Sequence, residues 1–537
     1  MAERVIRSIG LALSGGGYRA AGFHLGAMDM LARLQLLDRV KGLSTVSGGT
    51  IAGAYYALEQ SRGKKPEEII PALCRWLVEN DVIARALSEH RARTRGTESR
   101  RWNLITNASE VYNELLGGAQ FGELFDNSGH LDDLIFNATE FQTGMDFRFQ
   151  KTIDPSAKVG NGQVYMTQEA ARQLRLGDIV AASSCFPGGF EPLELPADFV
   201  FPGAEPEMRH IPKHLAVMDG GIYDNQGTEA LLLQRQEREA FDVVLVSDTD
   251  QRPKNAYYSM PVEEFGWRGL EVGTIVTMIA LLGAVTVGGA VNNVITLLHY
   301  ATEPWWEIAL DVLPSVVAGV FFIGLYVVWK LVKARIVKSY PNLAGGRLRR
   351  FLFSLRWADL KDLIELRMGS LLAMTSSVFL KRIRQLGYMR LEDDPKISKK
   401  LVTNLIYGMA TKKGKAELPP TKAQVELAER ANLMPTTLWF DDEKQFRDVF
   451  ACGQNTVVHA LLRWMERRAK AGEGDAEGGE VTNRLKEMWK LLQEDPFRFV
   501  PSVKGAKSGR RSGEVSKLPD GAEVDGVKPA QPTRETA

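Results

Sequence analysis

The sequence has only three cysteines, Cys74, Cys185 and Cys452, and they are far apart. Without a C-x-x-C pair they make neither a disulfide framework nor a zinc site, and they fit a reducing compartment. Histidine is scarce as well, at seven residues, and His210 and His214 flank Pro212 instead of forming a helical metal pair. Neither sign of charge dominates. Lys and Arg number 67 against 66 Asp and Glu, so the basic excess behind non-specific nucleic-acid binding is missing and nucleic acid is not an expected partner. No Gly-Lys-Ser/Thr follows a glycine loop, which excludes a P-loop, and there is no EF-hand loop. The start, Met1-Ala2-Glu3-Arg4, leads into an apolar stretch broken by Arg7, a glycine turn and Arg19. A signal peptide's continuous apolar region is not found there, and the soluble part is expected in the cytoplasm.

What is present is a strand–turn–helix unit, written twice within fifty residues. Ile9 to Leu13 is a short apolar run ending in Ser14-Gly15-Gly16-Gly17, and Ala20 to Leu37 then carries apolar residues at helical spacing. Leu43, Thr45 and Val46 lead to a sharp turn at Ser47-Gly48-Gly49 and a helix from about Ile51 to Leu58. Farther on, Leu215 to Met218 reads as a strand stopping at Asp219-Gly220-Gly221, and Phe241 to Ser247 as a buried parallel strand. Strands alternating with helices predict an α/β core.

The composition changes between about Arg268 and Lys330. Val272 to Thr302 and Val312 to Trp329 carry no charged side chain, and each can supply the roughly 20 apolar residues of a bilayer span. The connection holds Trp305 and Trp306, suited to a headgroup belt, and Lys330, Lys333, Arg335 and Lys338 follow the second run. The positive-inside rule puts that basic run on the cytoplasmic side, so both outer ends of a two-span hairpin face the cytoplasm. A pair of buried core helices is the other reading, since Thr274, Thr277, Thr286 and Asn292-Asn293 weaken the first run. The expected organisation is a catalytic domain over 1–265, a transmembrane hairpin over 266–339, a continuation of the catalytic domain over 340–470, and a charged, disordered tail over 471–537. Two clusters mixing basic and aromatic residues, Arg91 to Trp102 and Arg347 to Trp357, suit an anionic headgroup surface; a solvated loop is an equal reading of the first, and the second, close after the hairpin, is the better candidate.

Three motifs carry chemistry. Ser47 sits between an apolar strand and a helix, the setting of a nucleophile elbow, although Thr45 stands where G-x-S-x-G has its first glycine. A plain helix N-cap is the alternative role for this serine. Gly15, Gly16 and Gly17 can turn backbone amides into one concavity, and Arg19 adds positive charge beside it, as an oxyanion hole requires. Gly15, Gly17 and Ala20 also satisfy a dinucleotide-binding spacing, but no acidic strand end follows about 20 positions on. Asp219, at a strand end before two glycines, can accept a hydroxyl proton, while Asp-Gly-Gly equally makes an ordinary turn.

Taken together, the glycine loop Ser14-Gly15-Gly16-Gly17-Tyr18-Arg19-Ala20, the serine elbow and the distant Asp219-Gly220-Gly221 resemble the patatin-like phospholipase and cytosolic phospholipase A2 superfamily. Ala181 to Pro187 resembles that family's segment preceding its catalytic aspartate. The resemblance runs from Ile9 to about Asp250, and the hairpin lies outside it. It implies a three-layer α/β/α hydrolase, a Ser47 nucleophile with Asp219 as its direct base, and an oxyanion hole from Gly15, Gly16, Gly17, Arg19 and Gly48. It further implies a membrane phospholipid substrate, with no metal and no cofactor. With the inserted hairpin, the expectation is a multi-pass membrane protein hydrolysing acyl esters on its cytoplasmic side. Two other classes fit parts of the sequence. Thr45 leaves open a degenerate, membrane-anchored scaffold or signalling module, and Gly283, Ala284, Gly288 and Gly289 allow the close helix packing of a pore-forming hairpin.

Overall fold

The computed structural model describes residues 6–503 apart from 93–100, 102, 155, 203–207, 234–240, 251–269, 300–312, 411–418, 473–478 and parts of 314–377. Among the described residues there are ten strands, β1 (Ile9–Leu13), β2 (Val40–Val46), β3 (Asp133–Glu140), β4 (Asp146–Lys151), β5 (Val159–Gly160), β6 (Tyr165–Met166), β7 (Leu193–Leu195), β8 (Leu215–Asp219), β9 (Val243–Asp248) and β10 (Leu401–Leu405). They form one sheet in the order β10-β9-β1-β2-β3-β4-β5-β6, with β8 paired to β3 and β7 to β8. Pairing is parallel from β10 to β3 and antiparallel beyond it, so the expected α/β core is found with a mostly parallel sheet.

Both faces of the parallel strands are covered, which is why they read as continuous apolar runs. Leu11 and Leu13 of β1 and Val243 and Leu245 of β9 join the larger core, whereas Ala12, Val244 and Val246 point to a second one. This alternation is the period of two expected of a strand between two helical layers. The large core holds α1 (Gly17–Arg33), α2 (Gly48–Ser61) and α3 (Leu176–Ser184). The opposite face is covered in part by Leu391, far along the chain.

The segment after the apolar run belongs to this fold. β10 extends the sheet by pairing with β9. A helix over Phe379–Asp393 carries Leu391 into the second core. Lys422–Leu433 and Glu443–Lys470 are helices that pack on each other, and the latter lies along α1 so closely that Cβ atoms at Gly26 and Gly453 would strike facing backbone at 2.0 Å.

The apolar run itself is helical over Val272–His299, designated α4. Its first 24 residues, Val272–Ile295, are long and apolar enough to cross a membrane and lie almost wholly outside the protein's own core. Among the described residues this is the one helix of that length and composition. Val317–Val327 is a shorter apolar helix, and the rest of the expected second span lies partly outside the described residues, as do Trp305 and Trp306. Gly283 of α4 faces Phe322, whose ring would be 3.3 Å from an added Cβ. The ends of this region are tied together: the Val272 amide donates to the Leu355 carbonyl at 2.8 Å and the Trp357 amide to the Leu270 carbonyl at 2.9 Å. The neck is thus at 270–272 and 355–357, inside the expected boundaries at one end and beyond them at the other.

Two expectations need correction. The tail expected from residue 471 contains a helix over Glu480–Glu494, with Leu485, Trp489 and Leu492 buried against the core. Those side chains recur at i, i+4 and i+7, so one face is apolar enough to dock despite the surrounding charge; residues 504–537 lie outside the described residues. Arg101 of the first basic cluster is engaged within the fold, paired with Glu194 and the fully buried Asp198.

Candidate active site

The serine and the aspartate meet because of strand register. β2 runs parallel to β3 until Val46 pairs with Asn137, and then the chain turns away at Ser47. β8 arrives from the opposite direction and pairs with the next residue of β3, Asp219 facing Ala138. Two strands therefore end at neighbouring positions beside one strand, which brings together Ser47, the residue after β2, and Asp219, the last residue of β8. Both are buried, at 7% and 4% exposure, and both line a cavity of about 910 Å³.

Ser47 has φ 52° and ψ −119°, a left-handed conformation that side chains other than glycine rarely adopt. Such strain costs on the order of 1–3 kcal/mol and persists only where surrounding bonds impose it. Here the Ser47 amide donates to the Ser183 hydroxyl at 3.0 Å. Ser183 gives its one proton to the Asn137 carbonyl at 2.7 Å, so Thr50 must donate to Ser183, at 2.7 Å, and Thr45 to Thr50, at 2.9 Å. Thr45 thus has a place in the network that the motif reading lacked. Its methyl group fits because Gly53 faces it, where a Cβ would come within 2.5 Å. Gly48 is required for a similar reason, since a Cβ there would lie 1.9 Å from the Gly17 carbonyl. The start of α2 is pressed onto the glycine loop.

Burial pushes the Asp219 carboxyl from 3.8 up to about 6, while the Ser47 hydroxyl, the Gly221 amide and the charge of Arg384 each favour its ionised form. The Gly221 amide donates to Asp219 Oδ1 at 2.7 Å. Among the described residues no histidine lines the cavity. His24 lies behind the loop, held neutral because burial lowers it to about 4. Its Nε2 donates to the Ser14 carbonyl and its Nδ1 accepts from Ser247, both at 2.9 Å.

The residues expected around an oxyanion are brought together but do not share one role. The Gly15 amide donates to the Asn225 carbonyl at 3.0 Å and is engaged, which corrects its expected place among the oxyanion donors. Gly17 and Gly48 open α1 and α2, where the first amides have no partner within the helix. Gly16, at φ 142°, precedes them. Arg19 lines the cavity but is buried, donating through Nη1 to the Met434 carbonyl at 2.7 Å. Burial and the neighbouring Arg384 lower it to about 9, which leaves it a cation at neutral pH.

The remaining walls are largely apolar, with Ile83, Phe141, Phe186, Phe190, Ile222, Leu433 and Trp439 around the polar floor. Asn225, Asp250 and Arg384 also line the cavity and were not singled out in the sequence. Asn225 falls six positions after Asp219 and could have been flagged by that proximity; Arg384 carries no local signal.

Residues 11–232 match the family model of the patatin-like phospholipases. No curated protein matches the chain. Among solved structures, human GIVD cytosolic phospholipase A2 is similar at 13% identity and a TM-score of 0.30, over 45% of this chain and 42% of its own. VipD from Legionella pneumophila is similar at 12% identity and a TM-score of 0.25, over 94% of each chain. The chain spans less than half the length of the human enzyme. The match places a patatin-like phospholipase domain at residues 11–232 of this chain.

Proposed function

We propose that this protein is a membrane-associated lipid acyl hydrolase that cleaves acyl esters of glycerophospholipids through Ser47 and Asp219. The observation that carries the reading is a strained, buried serine beside a carboxylate held near pH 6, at the polar end of a mainly apolar cavity. A base with that value is ionised at neutral pH yet still binds a proton readily. Asp219 takes the Ser47 proton as the oxygen adds to the ester carbonyl, and the new oxyanion is met by the amides of Gly16, Gly17 and Gly48. Arg19 contributes charge from beneath. Collapse expels the alcohol, which recovers the proton from Asp219, and water then attacks the acyl-serine with Asp219 again as base. The apolar walls suit the acyl chain.

The catalytic unit is read as residues 1–265 with 340–470, and 266–339 as a two-span hairpin that keeps it at the bilayer. The apolar surface of α4, its contact with Phe322 and the narrow neck support this. Lys330, after the second run, is consistent with a cytoplasmic site by the positive-inside rule. Fatty-acid release from phospholipid vesicles tests the activity. The wild type should release it and Ser47→Ala should not; equal release by both would refute the assignment.

A further inference from the structure

The carbonyl and the amide of one peptide unit are coplanar and point in opposite directions, so fixing one aims the other. The carbonyl of the Gly15–Gly16 unit is anchored behind the loop. Thr249 Oγ1 donates to it at 3.0 Å, Ser14 Oγ lies at 3.3 Å, and Arg384 Nη2 at 3.5 Å. Thr249 and Arg384 are both buried. The loop is pressed against Thr249 so closely that a Cβ on Gly16 would lie 2.7 Å from its hydroxyl.

Arg384 is itself fixed from several sides. Its Nη1 donates to Asp250 at 2.8 Å, and its Nε lies 3.4 Å from Asp248, which Tyr388 also approaches at 3.1 Å. Two carboxylates at the end of β9 thus hold a guanidinium delivered from 369 positions beyond Gly15, on the far side of the apolar insertion. Arg19, from α1, faces it with like charge.

We infer that Thr249 and Arg384 are positioning residues for ester hydrolysis: by anchoring the Gly15 carbonyl they aim the Gly16 amide at the oxygen that becomes negative when Ser47 adds. The inference rests on the acyl-hydrolase reading of the site. It also assigns the segment after the insertion a part in the chemistry, so that both halves of the chain build one transition-state site. Arg384 acts on Asp219 as well, since its charge favours the carboxylate there. The other groups acting on Asp219 are the Ser47 hydroxyl and the Gly221 amide, with Tyr112 and Cys185 also in its field.

Three variants separate these effects on a soluble acyl ester. Thr249→Val keeps the shape and removes one anchor, and Arg384→Lys keeps the charge but loses the planar fork. Each should lower kcat about 10- to 100-fold with KM nearly unchanged, because a misaimed donor forfeits part of the ~10²–10³ that one oxyanion donor supplies. The rate at which a fluorophosphonate modifies Ser47 should fall in parallel. In both variants the acid limb of the pH–rate profile should stay where it is in the wild type. Arg384→Gln should in addition move that limb to higher pH, since loss of the cation favours protonated Asp219. If Arg384→Gln does not fold, because Asp248 and Asp250 lose their partner, the other two variants still decide. Full kcat in Thr249→Val and Arg384→Lys, or a change in KM alone, would overturn the inference while leaving the Ser47 reading intact. A wild type that hydrolyses no ester, or a fully active Ser47→Ala, would overturn both.

Discussion

The Ser47 amide donates to the Ser183 hydroxyl at 3.0 Å, and this bond joins the elbow to a helix 136 positions away. Ser183 Oγ accepts from two donors and gives its proton to Asn137, so every site on that oxygen is used. Ser183→Ala would take away the acceptor of the buried Ser47 amide and of the Thr50 hydroxyl and one donor to the Asn137 carbonyl, at a cost of about 1–3 kcal/mol. It would also release the positive φ of Ser47. Urea unfolding should show the loss of stability, and turnover should fall with it. Wild-type values for both would mean that the network does not hold the elbow.

Asp219 makes a second prediction, in the opposite direction for stability. Its folded value of about 6 lies above the ordinary 3.8, so burying the ionised form is unfavourable. That cost is absent below about pH 4, where the carboxyl is protonated folded or unfolded, and is fully present above about pH 6. At ~1.4 kcal/mol per pH unit it amounts to about 3 kcal/mol. Asp219→Asn keeps an acceptor for the Gly221 amide and removes the charge. The variant should be inactive yet melt at a higher temperature than the wild type at pH 7.5, with the gap closing as pH falls from 6 to 4. An Asn variant less stable than the wild type across that whole range would contradict the placement of Asp219. In the wild type, the same carboxyl should give activity an acid limb near pH 6.

The elements legible in the sequence were those whose signal is local. Glycines after an apolar run, a serine between strand and helix, and an aspartate at a strand end could all be read, along with the α/β alternation. What joins them is not local. Nothing near Ser47 or Asp219 in the chain says that Val46 and Asp219 pair with the consecutive residues Asn137 and Ala138. Thr45 looked like a departure from the motif because its compensation lies at Gly53, Thr50 and Ser183. Gly15 looked like an oxyanion donor because the Asn225 carbonyl that takes its amide arrives from another loop. The helix over Glu480–Glu494 was hidden by the glycine and acidic residues before it, although Leu485, Trp489 and Leu492 carried helical spacing. Arg384 could not have been found without the tertiary structure.

The neck at Leu270 and Trp357 gives a way to separate chemistry from membrane attachment. The two residues are hydrogen-bonded at 2.9 Å, so a short Gly-Ser link between them can replace everything in between. The resulting protein should be soluble without detergent and should cleave a short-chain soluble ester at close to the wild-type rate, since Ser47, Asp219, Thr249 and Arg384 are all retained. Its activity on phospholipid vesicles should fall at least about tenfold, because the high local concentration at the surface is lost. Equal activity of the two proteins on vesicles would show that the apolar region does not serve lipid access.

Hydrolysis through Ser47 requires an acyl group bound covalently to its oxygen. The direct measurement is to mix the protein with an activated acyl ester, quench in acid within the first turnover, and map the acylated peptide by mass spectrometry. The acyl group is predicted on Ser47, with no acylated peptide in Ser47→Ala. An acyl group on another residue, or undiminished ester turnover by Ser47→Ala, would contradict it.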